Sequence, residues 1–502
     1  MKKIKKALIV LFIIAALSSL LSCDLLIDVI FRETEEEETA EWTVMVWLDG
    51  DNNLNEAAVI DFHEMEHGLY LAQQSDSDIT DKLSIIVQYD QNPTHDNSSS
   101  VPGRYEVLPN ATENSQYVAP SSTSTLLESL TEPNMGSAEE LADFIDYAKE
   151  YYPAQHYALI LWNHGGGVRS AEEEGELTKA ICWDDTDGDD ALYIGEIKDY
   201  LDSSHSVDFL GMDACLMGFV EVAYEFRPDT GDFGSDAITF SPASEQGDGW
   251  EYDAIFSRLS GQSGSDSDGH SYYSIDTLSA NQFATVAAQE YEDAWSSDSW
   301  ETQTAVDLTQ IADVKSAADD FAGTIKDYQT QVENIRGAVG TGRLMAYFDE
   351  SETSEWYSYA GFDLYELAEQ VKANSEVTSI DNAADDLMDA IDDAVLYSFA
   401  QSSYDAYGTG FEEGKNGLAI FFPDGDEDYG SYPYWAYQHW YNGVSHSEYA
   451  SWWGSPDSPD YGALDFCTSD GDGTVESWFE LLQYWFNDSD DDPNPYNPSP
   501  KE

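Results

Sequence analysis

Hydrophobic and polar positions change period along this chain in a way that alternates strands with helices. Trp42-Thr43-Val44-Met45-Val46-Trp47-Leu48 is a nearly unbroken apolar run closed by the turn cluster Asp49-Gly50-Asp51-Asn52-Asn53, as expected of a strand covered on both faces. Residues 54–70 then carry Leu54, Ala57, Ala58, Ile60, Met65 and Leu69 at mixed helical spacing, and Leu83-Ser84-Ile85-Ile86-Val87 supplies a second strand. The polar stretch 91–124 predicts loop with a short hairpin near Tyr105. Ser137 and Glu140 predict a capping box, each side chain satisfying the other's backbone N–H, ahead of Leu141, Phe144, Ile145 and Ala148. Two further buried strands follow: Tyr157 to Trp162, ending on Asn163-His164-Gly165-Gly166-Gly167, and Val207 to Met212, ending on Asp213-Ala214-Cys215 and leading into Gly218 to Tyr224, apolar at helical spacing. This alternation predicts an α/β fold, a mainly parallel sheet flanked by helices, with a more helical C-terminal region from about 265 to 415. Leu418 to Phe422 returns as a strand. Residues 430–461 are crowded with Tyr, Trp and Pro, for which core packing is favoured over an aromatic carbohydrate-binding surface, and 487–502 read as a disordered tail.

Side chains at the carboxyl ends of neighbouring parallel strands converge on one crevice. His164 and Cys215 are therefore candidates for a base and a nucleophile. The thiolate is the attacking species, an adjacent imidazole can take the thiol proton, and a helix starting directly behind Cys215 would favour the anion with its positive end. No third side chain to orient the imidazole stands out, so the expectation is a dyad. Asp213 lies two residues before Cys215, and strand alternation returns its side chain to the same side.

These stretches together resemble the clostripain family of cysteine peptidases, which share the caspase-like fold. The likeness is carried by Trp42 to Trp47 with Gly50-Asp51-Asn52-Asn53-Leu54, by Asn163-His164-Gly165, Asp184-Asp185-Thr186, Asp213-Ala214-Cys215-Leu216-Met217 and Gly247-Asp248-Gly249-Trp250, in that order. The resemblance implies a caspase-like catalytic core, an oxyanion site from the N–H groups of Gly165 and Cys215, and a pocket in which Asp213 selects Arg or Lys, with Glu245 as a second candidate. A bidentate guanidinium–carboxylate contact is the physical basis of such selection. It also implies self-cleavage between the dyad residues after a basic side chain, for which Lys179 and Arg169 are the available positions, and it admits calcium without requiring a cofactor.

With 502 residues and 42% apolar content the chain can bury one large core or two ordinary ones. Lys2, Lys3, Lys5 and Lys6, an apolar run from Ala7 to about Leu17 and Leu20-Leu21-Ser22-Cys23 read as an export signal over 1–22. The last four residues resemble the lipobox of bacterial lipoproteins, with Cys23 as the lipidated position, and Asp24 to Ala40, including four consecutive glutamates, as an acidic tether. Residues 41–265 then form the expected catalytic core and 266–486 a helical, aromatic-rich part completing the fold. Taking the four leader lysines from the 20 basic residues leaves 16 against 99 acidic ones. So acidic a surface disfavours nucleic acid and favours cationic peptides, although solubility alone accounts for the bulk charge. The expected partners are peptides or proteins containing Arg or Lys, and a membrane through lipid on Cys23, on the periplasmic face or the cell surface. Beyond Cys23, the remaining cysteines are Cys182, Cys215 and Cys467. An odd remainder is not a disulfide framework; Cys182 and Cys467 are either a disulfide or, the favoured reading, two small buried side chains.

Two competing chemistries are on the chain. His63-Glu64-Met65-Glu66-His67 satisfies a zinc-peptidase pattern, with two histidines on one helical face and Glu64 as base, but no third ligand is evident and no metal is assigned. Asp184 to Asp190 and Asp470 to Gly473 are rich in hard oxygen donors without the spacing of a helix–loop–helix calcium site. A catalytically silent surface binding protein on the same fold is the remaining alternative.

Overall fold

The largely apolar run around Val44 forms β1, Ala40–Gly50, buried from Trp42 onward because both its faces are covered. Met45 and Trp47 enter one core, whereas Trp42, Val44, Val46 and Leu48 enter the other. The structure, a computed structural model, describes residues 39–92, 101–112, 123–168, 180–188, 190–297, 300–336, 344–347, 361–406, 409–422, 461–468 and 473–486. Strands β2 (Leu83–Gln91), β3 (Gly103–Glu106), β4 (Thr125–Ser129), β5 (Ala154–Trp162), β6 (Ala180–Asp184), β7 (Asp190–Tyr193), β8 (Val207–Asp213) and β9 (Ser235–Phe240) follow, then β10 (Thr302–Asp307), β11 (Gly361–Asp363), β12 (Val395–Ala400) and β13 (Ala419–Phe421). Nine of them make one sheet in the order β12-β10-β9-β8-β5-β1-β2-β3-β4. Its centre, β9-β8-β5-β1-β2, is wholly parallel, and antiparallel strands flank it on both sides. The hairpin expected near Tyr105 is β3 paired with β4.

Helices Asn55–Gln73, Tyr252–Arg258 and Ala280–Trp295 cover one face; Ala138–Tyr151, Ile311–Ile325 and Thr378–Ala394 are among those covering the other. β10 and β12 lie beyond residue 265 yet extend the sheet from β9, so the sheet runs across that position. The chain passes from β1 outward to β2 and then returns to the opposite side of β1 as β5. Strand order therefore reverses between β1 and β5, and the crevice at the carboxyl ends of such a pair is where open α/β sheets place their sites.

Two local expectations are corrected. Ser137 caps its helix, accepting from Glu140 N at 3.4 Å, but the Glu140 carboxylate turns to the backbone of Asn134 rather than closing the box. No helix starts directly behind Cys215: the next one is only Val220–Glu225. Leu216 intervenes at φ 62°, and Gly218 N binds Ser241 O at 2.7 Å, so the chain turns sharply against the residues after β9 before a helix can begin. The leader, Cys23, residues 430–460 and the tail 487–502 lie outside the described residues. Among the described residues no helix is long and apolar enough to cross a membrane.

Candidate active site

The turn after β5 is built by Asn163, whose amide nitrogen reaches Asp49 O at 2.9 Å, Asp49 Oδ2 at 2.6 Å and Trp183 O at 3.3 Å. Asn163 Oδ1 accepts the next N–H, that of His164. The imidazole is thereby carried at the switch point, and its Nε2 lies 2.8 Å from Asn53 Oδ1 in the turn after β1. An amide oxygen is an acceptor, so this contact is made by the tautomer with its hydrogen on Nε2. Sequence reasoning left the imidazole without an orienting side chain; Asn53 fills that position.

Cys215 follows β8, the neighbour of β5. Gly165 makes this juxtaposition possible, since a Cβ there would lie 2.2 Å from Cys215 O. The Sγ accepts from Glu245 N at 3.2 Å, so a backbone N–H from the loop after β9 supplies the positive end that the absent helix start was expected to give. Cys182 and Cys467 are both buried thiols outside any disulfide, and burial pushes the Cys182 pKa well up.

His164, Cys215, Asp213 and Glu245 line one cleft of about 210 Å³, with Leu54, Trp162 and Gly249 among its walls. Its floor is acidic. Asp213, 4% exposed, accepts from Trp250 N at 3.1 Å and from Tyr252 Oη at 2.9 Å, both at Oδ2. Glu245 Oε1 accepts from Gln303 at 2.8 Å, while its Oε2 is buried without a donor. Burial and, after it, the charge of Asp213 push Glu245 well above the usual carboxylate range. Burial raises Asp213 less, to about 7, because Trp250, Tyr252 and Glu245 all donate to it. A third carboxyl, Asp61, was missed by the sequence reading: a Cβ on Gly249 would lie 2.8 Å from Asp61 Oδ2 and 3.1 Å from Asp213 Oδ2. Only the packing of helix Asn55–Gln73 under Trp162, whose Nε1 bonds Asp61 at 2.5 Å, brings it there.

A thiol, an imidazole with an oriented tautomer and a buried acid pair now share one crevice. The sequence profile of the clostripain family matches residues 46–485. Clostripain from Hathewaya histolytica is 33% identical over 496 residues, an alignment spanning 91% of this chain and 89% of that protein. The chain belongs to the clostripain family. It is a cysteine peptidase, with the caspase-like fold of its structural neighbours. A secreted cysteine protease from Bacteroides thetaiotaomicron, solved with an irreversible peptide inhibitor, aligns with a TM-score of 0.52 at 18% identity over 80% of this chain and 98% of its own. An inactive protease zymogen from Parabacteroides distasonis aligns at 0.50 with 19% identity over 77% and 93%.

For a member of the clostripain family the zinc alternative falls, and the geometry agrees. His63 is turned to Glu66 at 3.2 Å and His67 to Asp253 at 3.0 Å, while Glu64 accepts from Tyr252 N at 3.1 Å. Among the described residues, two groups of at least three ligand-type side chains converge, and neither includes His63 or His67. One is Asp51, Asp90 and Asp184; the other is Asp266, His270, Glu290 and Asp293. Among the described residues of the acidic run 184–190, only Asp184 joins a cluster; Asp190 is bound instead by Asn134 at 2.7 Å. Asp470 to Asp472 lie outside the described residues, as do Arg169 and Lys179.

Acid burial has a measurable consequence. Glu64 is pushed up to about 9 by burial and by Glu251 and Asp253, and burial brings Glu221 up to about 7. Such groups bind their proton more tightly folded than unfolded, so the stability they contribute is complete below the ordinary carboxylate pKa and is lost as pH rises through the raised one. The thermal midpoint is therefore expected to fall steadily from pH 5 to pH 9, followed by calorimetry; a midpoint that climbs across that window contradicts these buried acids.

Proposed function

We propose that this clostripain-family peptidase is an exported, lipid-anchored endopeptidase that cleaves after Arg or Lys. What carries the reading is the buried Asp213 and Glu245 pair in the same cleft as Cys215 and His164; the kinship with clostripain supports it. A guanidinium or ammonium entering that cleft exchanges a shared proton for a charge-assisted contact with carboxylate. Cys215 Sγ gives its proton to His164 Nδ1 and attacks the scissile carbonyl carbon. As the C–N bond breaks, the imidazolium returns the proton to the leaving amine, and water, deprotonated by the same imidazole, hydrolyses the thioester. The N–H groups of Gly165 and Cys215 are assigned to the oxyanion.

Asn53 is a positioning residue in this scheme, holding the tautomer through Nε2. Asn53→Ala is expected to lower kcat roughly 10- to 100-fold with little change in KM. Steady-state kinetics check this, and a change confined to KM would remove Asn53 from the mechanism.

Self-processing after Lys179 or Arg169 follows from the same specificity. At the other end, lipid on Cys23 would hold the enzyme at a membrane through its acidic tether. A Cys23→Ser chain is expected to move from the detergent phase to the aqueous phase on detergent partitioning; equal partitioning of both chains would discard the anchor.

Fluorogenic peptides ending in Arg or Lys, with and without iodoacetamide, test the whole reading. Hydrolysis abolished by the alkylator supports it. No hydrolysis across pH, calcium and reductant would favour the silent binding protein.

A further inference from the structure

One residue touches the thiol and also completes the acid floor. Glu245 N donates to Cys215 Sγ at 3.2 Å, and Glu245 O lies 3.8 Å from the same sulfur. The Glu245 side chain meets the Asp213 carboxyl. Any displacement of residue 245 therefore moves the nucleophile's backbone contact and the second carboxyl of the cleft together.

Position 245 lies in a loop between β9 and helix Tyr252–Arg258, outside any strand or helix of its own, so its place must be fixed from elsewhere. β10 fixes it. Thr304 pairs with Phe240 in antiparallel register, which sets Glu301, Thr302 and Gln303, all buried, beside the loop that follows β9. Thr302 Oγ1 accepts from Ala243 N at 3.2 Å and shares a 2.7 Å hydrogen bond with Ser241 Oγ. Strand alternation turns Glu301 and Gln303 to the other side. There Glu301 Oε1 accepts from Gln246 Nε2 at 2.8 Å, and Gln303 Nε2 donates to Glu245 Oε1 at 2.8 Å. The Gln303 amide is held at both ends, because its Oε1 accepts from Thr304 N at 3.3 Å, and Nε2 is left to face the carboxyl.

Asp213 has anchors of its own in Trp250 N and Tyr252 Oη. Glu245 depends on Gln303. A buried carboxyl oxygen that loses its donor must find water instead, and the water is in the cleft, so that loss draws residue 245 from its place beside Sγ.

We infer that Gln303 is a positioning residue that sets the nucleophile and the basic-residue pocket together, acting on both through Glu245; this rests on the roles proposed above for Cys215 and the acid pair. Three consecutive residues beyond position 265 thus brace the loop on which both depend.

The test compares three full-length chains: the unaltered protein; Gln303→Met, which keeps the side-chain length and removes the donor; and Gln303→Glu combined with Glu245→Gln, a swapped pair that rebuilds the bond with donor and acceptor reversed. In Gln303→Met, kcat is expected to fall about tenfold or more on an Arg peptide and on its citrulline counterpart alike, the scale on which a misplaced reacting atom acts. The Arg-over-citrulline ratio of kcat/KM should drop as well. Deuterium uptake at the Glu245 amide, resolved by mass spectrometry without substrate, should quicken by about tenfold or more as its bond to sulfur opens. The swapped pair should recover kcat on the citrulline peptide and the slow uptake. An unchanged citrulline kcat or an unchanged uptake in Gln303→Met would overturn the inference, as would losses that the swapped pair does not recover, since packing alone explains those. Should the unaltered chain hydrolyse neither Arg nor Lys peptides, the proposed function falls, while deuterium uptake still decides whether Gln303 holds residue 245. If Gln303→Met does not fold, Gln303→Ala takes its place under the same criteria.

Discussion

Cys215→Ala is expected to reduce kcat/KM toward Arg- and Lys-containing peptides by about 10⁴-fold or more, the scale on which removal of a covalent nucleophile acts. Among the described residues no second thiol is placed to stand in: Cys182 and Cys467 are buried. His164→Ala should cost nearly as much, and the double variant no more than either alone, since in the proposed mechanism the two groups perform one step. The thiol's environment sharpens the expectation. Glu245 N donates to Sγ at 3.2 Å, and Glu245 O lies 3.8 Å from the same sulfur, so one residue of the loop after β9 fixes where the thiol sits. If the unaltered protein cuts itself after Arg169 or Lys179 as proposed, the Cys215→Ala chain should also remain a single polypeptide. Peptide kinetics and denaturing gels check both outcomes; more than about 1% residual activity in Cys215→Ala, well above the loss expected, would mean another group attacks the carbonyl.

The sequence made the strands that carry the chemistry readable because the parallel centre of the sheet is covered on both faces. Runs such as Ala158 to Trp162 and Phe209 to Met212 are apolar without alternation, and each ends on a reactive side chain. What stayed hidden depends on which strands pair. Asn53 is one polar residue in a turn full of them, and it gains its role only because β5 lies beside β1. Asp51, Asp90 and Asp184 come from three segments, and nothing local in any of them announces the other two. His63 and His67 show the opposite limit: their helical spacing is real, but one ring is turned to Glu66 on its own helix and the other to Asp253. The helix dipole behind Cys215 failed because apolar spacing from Gly218 onward cannot show that Leu216 turns to positive φ and delays the helix to Val220.

Asp213→Asn should erase the preference for a basic residue while leaving the fold intact. An asparagine oxygen placed where Oδ2 sits can still accept from Trp250 N and Tyr252 Oη, so the change removes charge rather than packing. Breaking a desolvated charge pair costs about 2–5 kcal/mol, which sets an expected loss of roughly 10²-fold or more in kcat/KM for an Arg peptide. Its citrulline counterpart, neutral and of the same shape, should be nearly unaffected. The pH dependence carries a sign that a structural aspartate would not produce. Burial holds the Asp213 proton up to about 7, and Glu245 retains its own still more tightly. A cationic side chain needs at least one of these carboxyls ionised, so binding must release a proton when pH lies below that value. The ratio of kcat/KM for Arg over citrulline peptides should therefore rise up to tenfold per pH unit below about 7 and level off above it. Taking the ratio cancels the ionisation of Cys215 and His164, which acts on both peptides alike. In Asp213→Asn the ratio should be low and nearly flat. A ratio independent of pH in the unaltered enzyme, or one that Asp213→Asn leaves in place, would move the specificity pocket away from this acid pair.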